Sequence, residues 1–196
     1  HVDPRNDYLP SASCVTRIGL LADLEIRRFA DLDELPGSFE GLGSCDVCIY
    51  WEYPGEFDRG VRDPTLKVNW ISRVLKEFGN CGLQAVVEGR VVGFIQYAPP
   101  GYYGDRFKDY PSGPPSRDSV FISCLYVRDV SQRGRGIGAE LLRSAVEELR
   151  TRGFGRIEAL PRRSSEDNPS GPLELYLKQG FRIVSESDDF PLVRLG

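Results

Sequence analysis

Apolar residues recur along the chain with two periods, close to four and close to two, which divide it into helices and strands. Leu66, Trp70, Val74 and Phe78 fall on one face of a helix with Asp63 as N-cap and Pro64 in its first turn, ended by Gly79–Asn80. Leu83–Val87 and Arg90–Ala98 are β-rich runs joined at Glu88–Gly89, which predicts a hairpin. Ser119–Val130 reads as a further strand and runs into a glycine-rich stretch. Ile137, Leu141, Leu142, Ala145, Val146 and Leu149 then mark one face of a second long helix, ending near Arg152–Gly153. After it come a strand at Arg156–Leu160 stopped by Pro161, a polar run Arg162–Asn168, and a short helix Pro172–Gln179 closed by Gly180. Phe181–Glu186 and Phe190–Leu195 finish the chain as two strands across an Asp188–Asp189 turn.

The N-terminal part is less regular. Residues 1–22 carry no firm period and read as an N-terminal extension, leaving 23–196 as the domain. Leu24–Phe29 alternates weakly and predicts the first strand. Asp31 reads as the N-cap of a helix with carboxylates in its first turn, ended by Gly41 and Gly43. Cys48–Tyr53, rich in aromatic and β-branched residues, predicts a strand closed by Pro54–Gly55. Pro99–Asp118 mixes Pro, Gly and Tyr and fits no regular element. A loop of about twenty residues is long for a compact domain and is read either as a lid over a substrate or as a structural insertion. The element order is that of an α/β sheet with few helices.

Composition narrows the class. The chain has 196 residues, 40% hydrophobic and 28% charged, which suits one globular domain with a sizeable core. A net charge of −4 disfavours a general grip on nucleic acid. No apolar run has membrane length, and Asp3, Arg5 and Asp7 interrupt any signal-peptide pattern. Five cysteines (an odd number, in a chain that is not short) point to reduced thiols and a cytoplasmic protein rather than to a disulfide framework. Cys45 and Cys48 form a lone C-x-x-C, but the only histidine is His1, so no metal site is expected. The oligomeric state is not legible, and a homodimer is only the general prior.

The stretch with most chemistry is Gln132–Ala139. Gly134, Gly136 and Gly138 leave the backbone free to turn sharply and to be approached closely, and Arg133 and Arg135 add positive charge. Backbone N–H groups of such a loop, with the open first turn of the helix behind it, form a site for phosphate or pyrophosphate. Two readings compete. Gly134-x-Gly136-x-x-Ala139 formally matches a dinucleotide-binding fingerprint with Glu158 downstream. Against it, Arg128–Arg133 separates strand from loop, too little chain remains for the other βαβ units, and the elements before the loop are hairpins.

The second reading fits better. Arg133-x-x-Gly136-x-Gly138, preceded by Leu125-Tyr126-Val127 and followed by an amphipathic helix, resembles the acyl-CoA loop of the GNAT-type N-acetyltransferase superfamily. Leu175-Tyr176-Leu177-Lys178-Gln179-Gly180-Phe181 resembles a second block of that family, in the right order, with a helix and strand between. The resemblance covers about 24–196 and implies the acyl-CoA N-acyltransferase fold: a single mixed, mostly antiparallel sheet splayed at its central strands, with helices on both faces. It implies acetyl-CoA as cosubstrate, with the pyrophosphate on the N–H groups of Arg133, Gly134, Arg135, Gly136, Ile137 and Gly138. Backbone groups of Leu125, Tyr126 and Val127 would hold the pantetheine arm, and Asn168 would bond it or cap a turn. The spacing from Val127 to Arg133 is one residue longer than the family pattern, which leaves open which strand amides face the cofactor.

The implied reaction is acyl transfer from a thioester to an amine by direct attack in a ternary complex. An alkylamine with a pKa of about 10 must lose a proton before it attacks, and the departing thiolate needs one. Tyr176 matches the family tyrosine that serves the thiolate. For the base, Glu158 and Glu52 compete with a chain of water molecules. Cys124 reads as a packing residue, since no histidine is at hand to activate it. The acceptor is a small-molecule amine or a peptide or protein amine. Glu52, Glu56, Asp58, Asp105 and Asp109, with Trp51, Tyr53, Tyr102 and Tyr103, are candidates for an acidic, aromatic acceptor site. An acyl-CoA-binding sensor without catalysis is the alternative of a different class.

Overall fold

A computed structural model of the chain describes residues 23–31, 45, 47–128, 130–164 and 168–196. The extension 1–22 and most of the helix expected after Asp31 lie outside these residues. Among the described residues the strands are β1 (Leu24–Arg28), β2 (Gly82–Val87), β3 (Arg90–Ala98), β4 (Val120–Val127), β5 (Ile157–Ala159), β6 (Arg182–Ser185) and β7 (Leu192–Leu195). They form a seven-stranded sheet in the order β1-β2-β3-β4-β5-β7-β6. Only the central β4–β5 pair is parallel; every other pair is antiparallel. The helices are α1 (Pro54–Asp58), α2 (Pro64–Glu77), α3 (Ile137–Thr151) and α4 (Leu173–Lys178).

The two amphipathic helices cover opposite faces of the sheet, as their stripes require. In α2 the Asp63 side chain accepts a 2.8 Å bond from the Thr65 N–H, Pro64 fills the first turn, and Trp70, Ile71 and Val74 are buried. In α3, Leu141, Leu142, Ala145 and Leu149 are buried against the other face, in one apolar layer with Leu173, Tyr176 and Phe181. No helix among the described residues is long and apolar enough to cross a membrane.

The α2 face is largely aromatic, and this overturns one expectation. Residues 48–53 are not a strand: they form tight turns, with the Tyr53 N–H bonded to the Ile49 carbonyl at 2.9 Å, leading into α1. Their aromatic content reflects burial, not sheet pairing. The Trp51 ring lies 5.4 Å from Phe107, 5.2 Å from Tyr110 and 5.1 Å from Phe121, in a cluster no extended segment is needed to fill. The long loop after β3 belongs to the same cluster. It contains two 3₁₀ turns, Pro100–Tyr102 and Asp105–Asp109, and inserts Tyr103 and Phe107 into the core. Trp70 Nε1 donates to its Tyr102 carbonyl at 2.7 Å, so it is a packed wall of the domain.

Beneath this layer lies a buried ion pair. Lys67 Nζ donates to Glu52 Oε1, with both side chains almost wholly excluded from solvent. Burial by itself lowers the lysine pKa, but Glu52, with Cys124 and Cys48, more than offsets this and the net shift is upward. Because the folded value lies above the unfolded one, the stabilisation is fully present through neutral pH and is lost only as pH rises past the ordinary lysine range. Lys67→Met leaves Glu52 buried without its counter-ion and is expected to destabilise the fold by about 3–5 kcal/mol, measured by urea unfolding at neutral pH.

Candidate active site

The centre of the sheet is open. β4 and β5 pair only at Val120–Ile157, Phe121–Glu158 and Ile122–Ala159. Pro161, which has no N–H to donate, comes after Leu160 and ends the ladder. The rest of β4, from Ser123 to Val127, keeps β3 on one edge and has lost its strand neighbour on the other.

A bulge decides which groups that free edge presents. Gln96 pairs with Cys124 and Tyr97 with Ile122, so Ser123 is an extra residue in β4. Past the bulge, Leu125 N–H points away from β3 and meets the Pro169 carbonyl at 2.7 Å, whereas Arg128 N–H points toward β3 and meets the Val92 carbonyl at 3.0 Å. Strand alternation therefore turns the N–H groups of Leu125 and Val127 to the open edge and that of Tyr126 to β3. Of the three residues expected to offer backbone groups, Leu125 and Val127 turn theirs to the open edge, and the Leu125 N–H is taken by Pro169. Tyr126 contributes its ring, which lies under the Arg133 guanidinium at 5.5 Å.

The glycine loop closes the far end of the opening. Gly134 and Gly136 have φ of +74° and +91°, left-handed values that disfavour any side chain, and Gly136 is the N-cap of α3. The first α3 amide to find a helical partner is that of Glu140, bonded to the Gly136 carbonyl at 2.9 Å, so the N–H groups of Ile137, Gly138 and Ala139 stand at the open helix end. Arg133 Nε donates to the Val127 carbonyl at 2.8 Å and ties the loop to the end of β4. Arg135 is turned aside to the Gln132 side chain.

Strand edge, loop and helix end line one cleft of about 580 Å³, into which Leu125, Val127, Arg133, Gly134, Gly136 and Gly138 all open. Tyr126, Ile137 and Asn168 line it too, while Arg135 is not among its walls. Asn168 Oδ1 accepts the Ser170 N–H at 2.9 Å, a turn cap within the wall. Arg163 and Lys178 also line the cleft and were not singled out in the sequence. Their signals were present, in the polar run after Pro161 and in the block that carries Tyr176. Three cations against one carboxylate, Glu174, which is paired with Lys178, leave the cleft with a cationic excess and main-chain donors in a protein of net charge −4, suited to an elongated ligand with phosphate at one end.

Residues 48–181, more than half of the chain, match the Acetyltransferase (GNAT) family. The chain belongs to that family. No curated protein matches it by sequence. Among solved structures it is similar to the PaiA N-acetyltransferase of Thermoplasma acidophilum in complex with coenzyme A, with TM-score 0.57 and 16% identity over 88% of this chain and 98% of that one. It is similar to YncA of Salmonella typhimurium, solved with its cofactor acetyl-CoA, with TM-score 0.57 and 17% identity over 88% and 93% of the two chains. Ribosomal-protein-alanine N-acetyltransferase of Brucella melitensis gives TM-score 0.54 and 20% identity over 87% and 98%. At such identities these likenesses establish the fold. A sheet with a single parallel pair is also incompatible with the doubly wound fold of the dinucleotide reading.

The remaining residues singled out in this GNAT chain sit behind the cleft. Tyr176 is fully buried, edge-on to Phe181, and its hydroxyl donates to the Ser170 carbonyl at 3.1 Å. Burial, with a smaller contribution from Cys124, pushes its phenol pKa well up, so the group keeps its proton at neutral pH. Glu158 is buried on the opposite face of the sheet from Ile157 and Ala159. It accepts from Arg194 Nε at 2.6 Å and from the Ser116 N–H at 2.6 Å. Glu52 is held by Lys67 and by Gln96 Nε2, the latter at 2.8 Å. The structure brings neither carboxylate to the cleft. Cys124 is buried, and burial raises its thiol pKa well above the ordinary range, which makes it a poor nucleophile. Cys45 and Cys48 are free thiols, and no cluster among the described residues could hold a metal ion.

The residues expected to line an acidic, aromatic acceptor site do not come together. Glu56 pairs with Arg59, Asp58 with Arg106 and Asp105 with Lys108, and Trp51 is buried. Only Asp109 of that set, itself paired with Arg106 at 3.1 Å, opens into a second cleft of about 790 Å³, beside Glu186, Asp188 and Asp189 of the β6–β7 turn, with Tyr50, Tyr110 and Phe190 as aromatic walls. Arg163 lines both clefts and is ion-paired with Glu186. At the glycine loop, Gly136→Ala forces a side chain into left-handed backbone and is expected to lower stability by about 1–2 kcal/mol, read as a lowered Tm.

Proposed function

We propose that this protein is an N-acetyltransferase that moves the acetyl group of acetyl-CoA to a primary amine by direct attack in a ternary complex. The observation that carries this reading is the open β4 edge facing the main-chain donors at the start of α3. The diphosphate would sit on the N–H groups from Arg133 to Gly138, and the arm would run along Leu125 and Val127. One of these two amides would polarise the thioester carbonyl and hold the developing oxyanion. The amine nitrogen then forms a bond to the acetyl carbon, the carbon–sulfur bond breaks, and the thiolate of coenzyme A takes up a proton.

The chain's own residues now stand on the groups this requires. The Pro169 carbonyl holds the Leu125 N–H, and the Ser170 carbonyl holds the Tyr176 hydroxyl. One movement of the 169–170 segment would release both, exposing the oxyanion donor and delivering the proton of Tyr176 to the sulfur together. Glu158 and Glu52 are committed to cations, so the amine proton is assigned to water. The acceptor is assigned to the acidic cleft, whose carboxylates and rings suit a cationic amine, either a small molecule or a basic peptide. The four described cysteines are free thiols, which fits a cytoplasmic site of action.

Thiol release from acetyl-CoA over a panel of amines and peptides tests the reading. Turnover is expected with cationic acceptors, and Tyr176→Phe is expected to lower kcat by about 10²-fold with KM for acetyl-CoA little changed. Asp189→Lys should raise KM for a cationic acceptor about tenfold without altering KM for acetyl-CoA. Tight binding of acetyl-CoA with no turnover on any acceptor would replace this reading by that of an acyl-CoA sensor.

A further inference from the structure

We infer that Ser123 and Gln96 are positioning residues for acetyl-CoA, acting through the backbone of β4; this rests on the reading of the cleft as the acetyl-CoA site. The extra residue at Ser123 is what turns Leu125 and Val127 to the open edge. A slip of one residue would present Cys124 and Tyr126 there instead and exchange the two faces of the strand. A bulge between two central strands interrupts a buried ladder, so it persists only where other bonds hold it.

Here the bonds come from buried side chains. Ser123 Oγ donates to the Gln96 carbonyl at 3.3 Å, beside the interruption in the ladder. It accepts from Gln96 Nε2 at 3.0 Å and from the Tyr103 hydroxyl at 3.1 Å. Gln96 Nε2 also donates to Glu52 Oε1 at 2.8 Å, and Glu52 in turn holds Lys67. Gln96, Ser123, Glu52 and Lys67 are all buried. The carboxamide has one workable orientation: its Oε1 has no hydrogen-bond partner, and rotating the group would set that oxygen against the Glu52 carboxylate. The network therefore links α2, the turn before α1, the loop after β3 and β3 itself to a single hydroxyl at the bulge. None of its members lines the cleft, yet it fixes which amides reach it.

The test compares Ser123→Ala, Ser123→Thr and Tyr103→Phe with the wild type and with Leu149→Ala, a core truncation near the far end of α3. Titration with coenzyme A and hydrogen exchange at the amides of Cys124 and Tyr126 are the readouts. For Ser123→Ala we expect coenzyme A to bind about tenfold more weakly. Exchange at Cys124 and Tyr126 should be faster than in Leu149→Ala, and KM for the acceptor unchanged. Ser123→Thr, which keeps the hydroxyl, should restore most of the affinity. Tyr103→Phe keeps its ring and loses one donor, and should move both readouts the same way by less, so it carries the test if Ser123→Ala does not fold. A lowered Tm with wild-type affinity and exchange no faster than in Leu149→Ala would overturn the inference alone. Wild-type protein that does not bind coenzyme A would overturn the reading of the cleft, and the affinity part of the inference with it. The exchange readout would still report whether Ser123 holds the bulge.

Discussion

The parting of β4 from β5 is the constraint on which the rest of the site depends. Two neighbouring parallel strands gain by pairing along their whole length, and here they pair at three positions before Pro161 ends the ladder. Their separation leaves a sheet edge in the middle of a domain. The apolar layer under α3 and α4 supports it from one side, with Leu125, Leu173 and Tyr176 in contact with the same core. The bulge at Ser123 supports it from the other. Part of the edge is satisfied by the Pro169 carbonyl, which shows how costly a bare amide is at that depth.

Charge is sorted across this opening. The net charge of −4 describes neither cleft. Arg133, Arg163 and Lys178, with the single carboxylate Glu174, border the one against β4, and Asp109, Glu186, Asp188 and Asp189 border the other. Arg163 stands between them, its charge partly answered by Glu186. Under the proposed function this arrangement draws an anionic donor and a cationic acceptor to opposite sides of one partition, and it weakens as salt screens the exposed charges.

The buried polar groups divide in a similar way. Glu158 with Arg194 and Glu52 with Lys67 are ion pairs whose members are nearly or wholly removed from water on at least one side. Such pairs contribute little net stability compared with apolar replacements, but each is costly to break singly. Their effect here is geometric. One ties β5 to β7 and to Ser116, and the other reaches through Gln96 to the bulge. The two carboxylates that look most like bases in the sequence are therefore the ones most firmly committed to the scaffold.

Elements whose causes are local are legible in the sequence. The four-residue step of Leu66, Trp70, Val74 and Phe78, the glycine at the β2–β3 turn, and the glycines before α3 each act within a few residues, and the structure has a helix, a hairpin and a helix N-terminus there. The family resemblance, read from two short blocks, carried the mixed sheet and its opening. The rest was settled by contacts between distant segments. Aromatic residues at 48–53 indicate burial equally well as turn or strand, and the neighbours that settled it, Phe107 and Phe121, lie far along the chain. Which amides of β4 face outward depends on one extra residue fixed by Gln96 and Tyr103. Which carboxylates stay available depends on cations brought from distant segments, Lys67 to Glu52 and Arg194 to Glu158. Periodicity records what a residue does to its neighbours in sequence, whereas pairing in a buried, weakly screened interior is settled by neighbours in space.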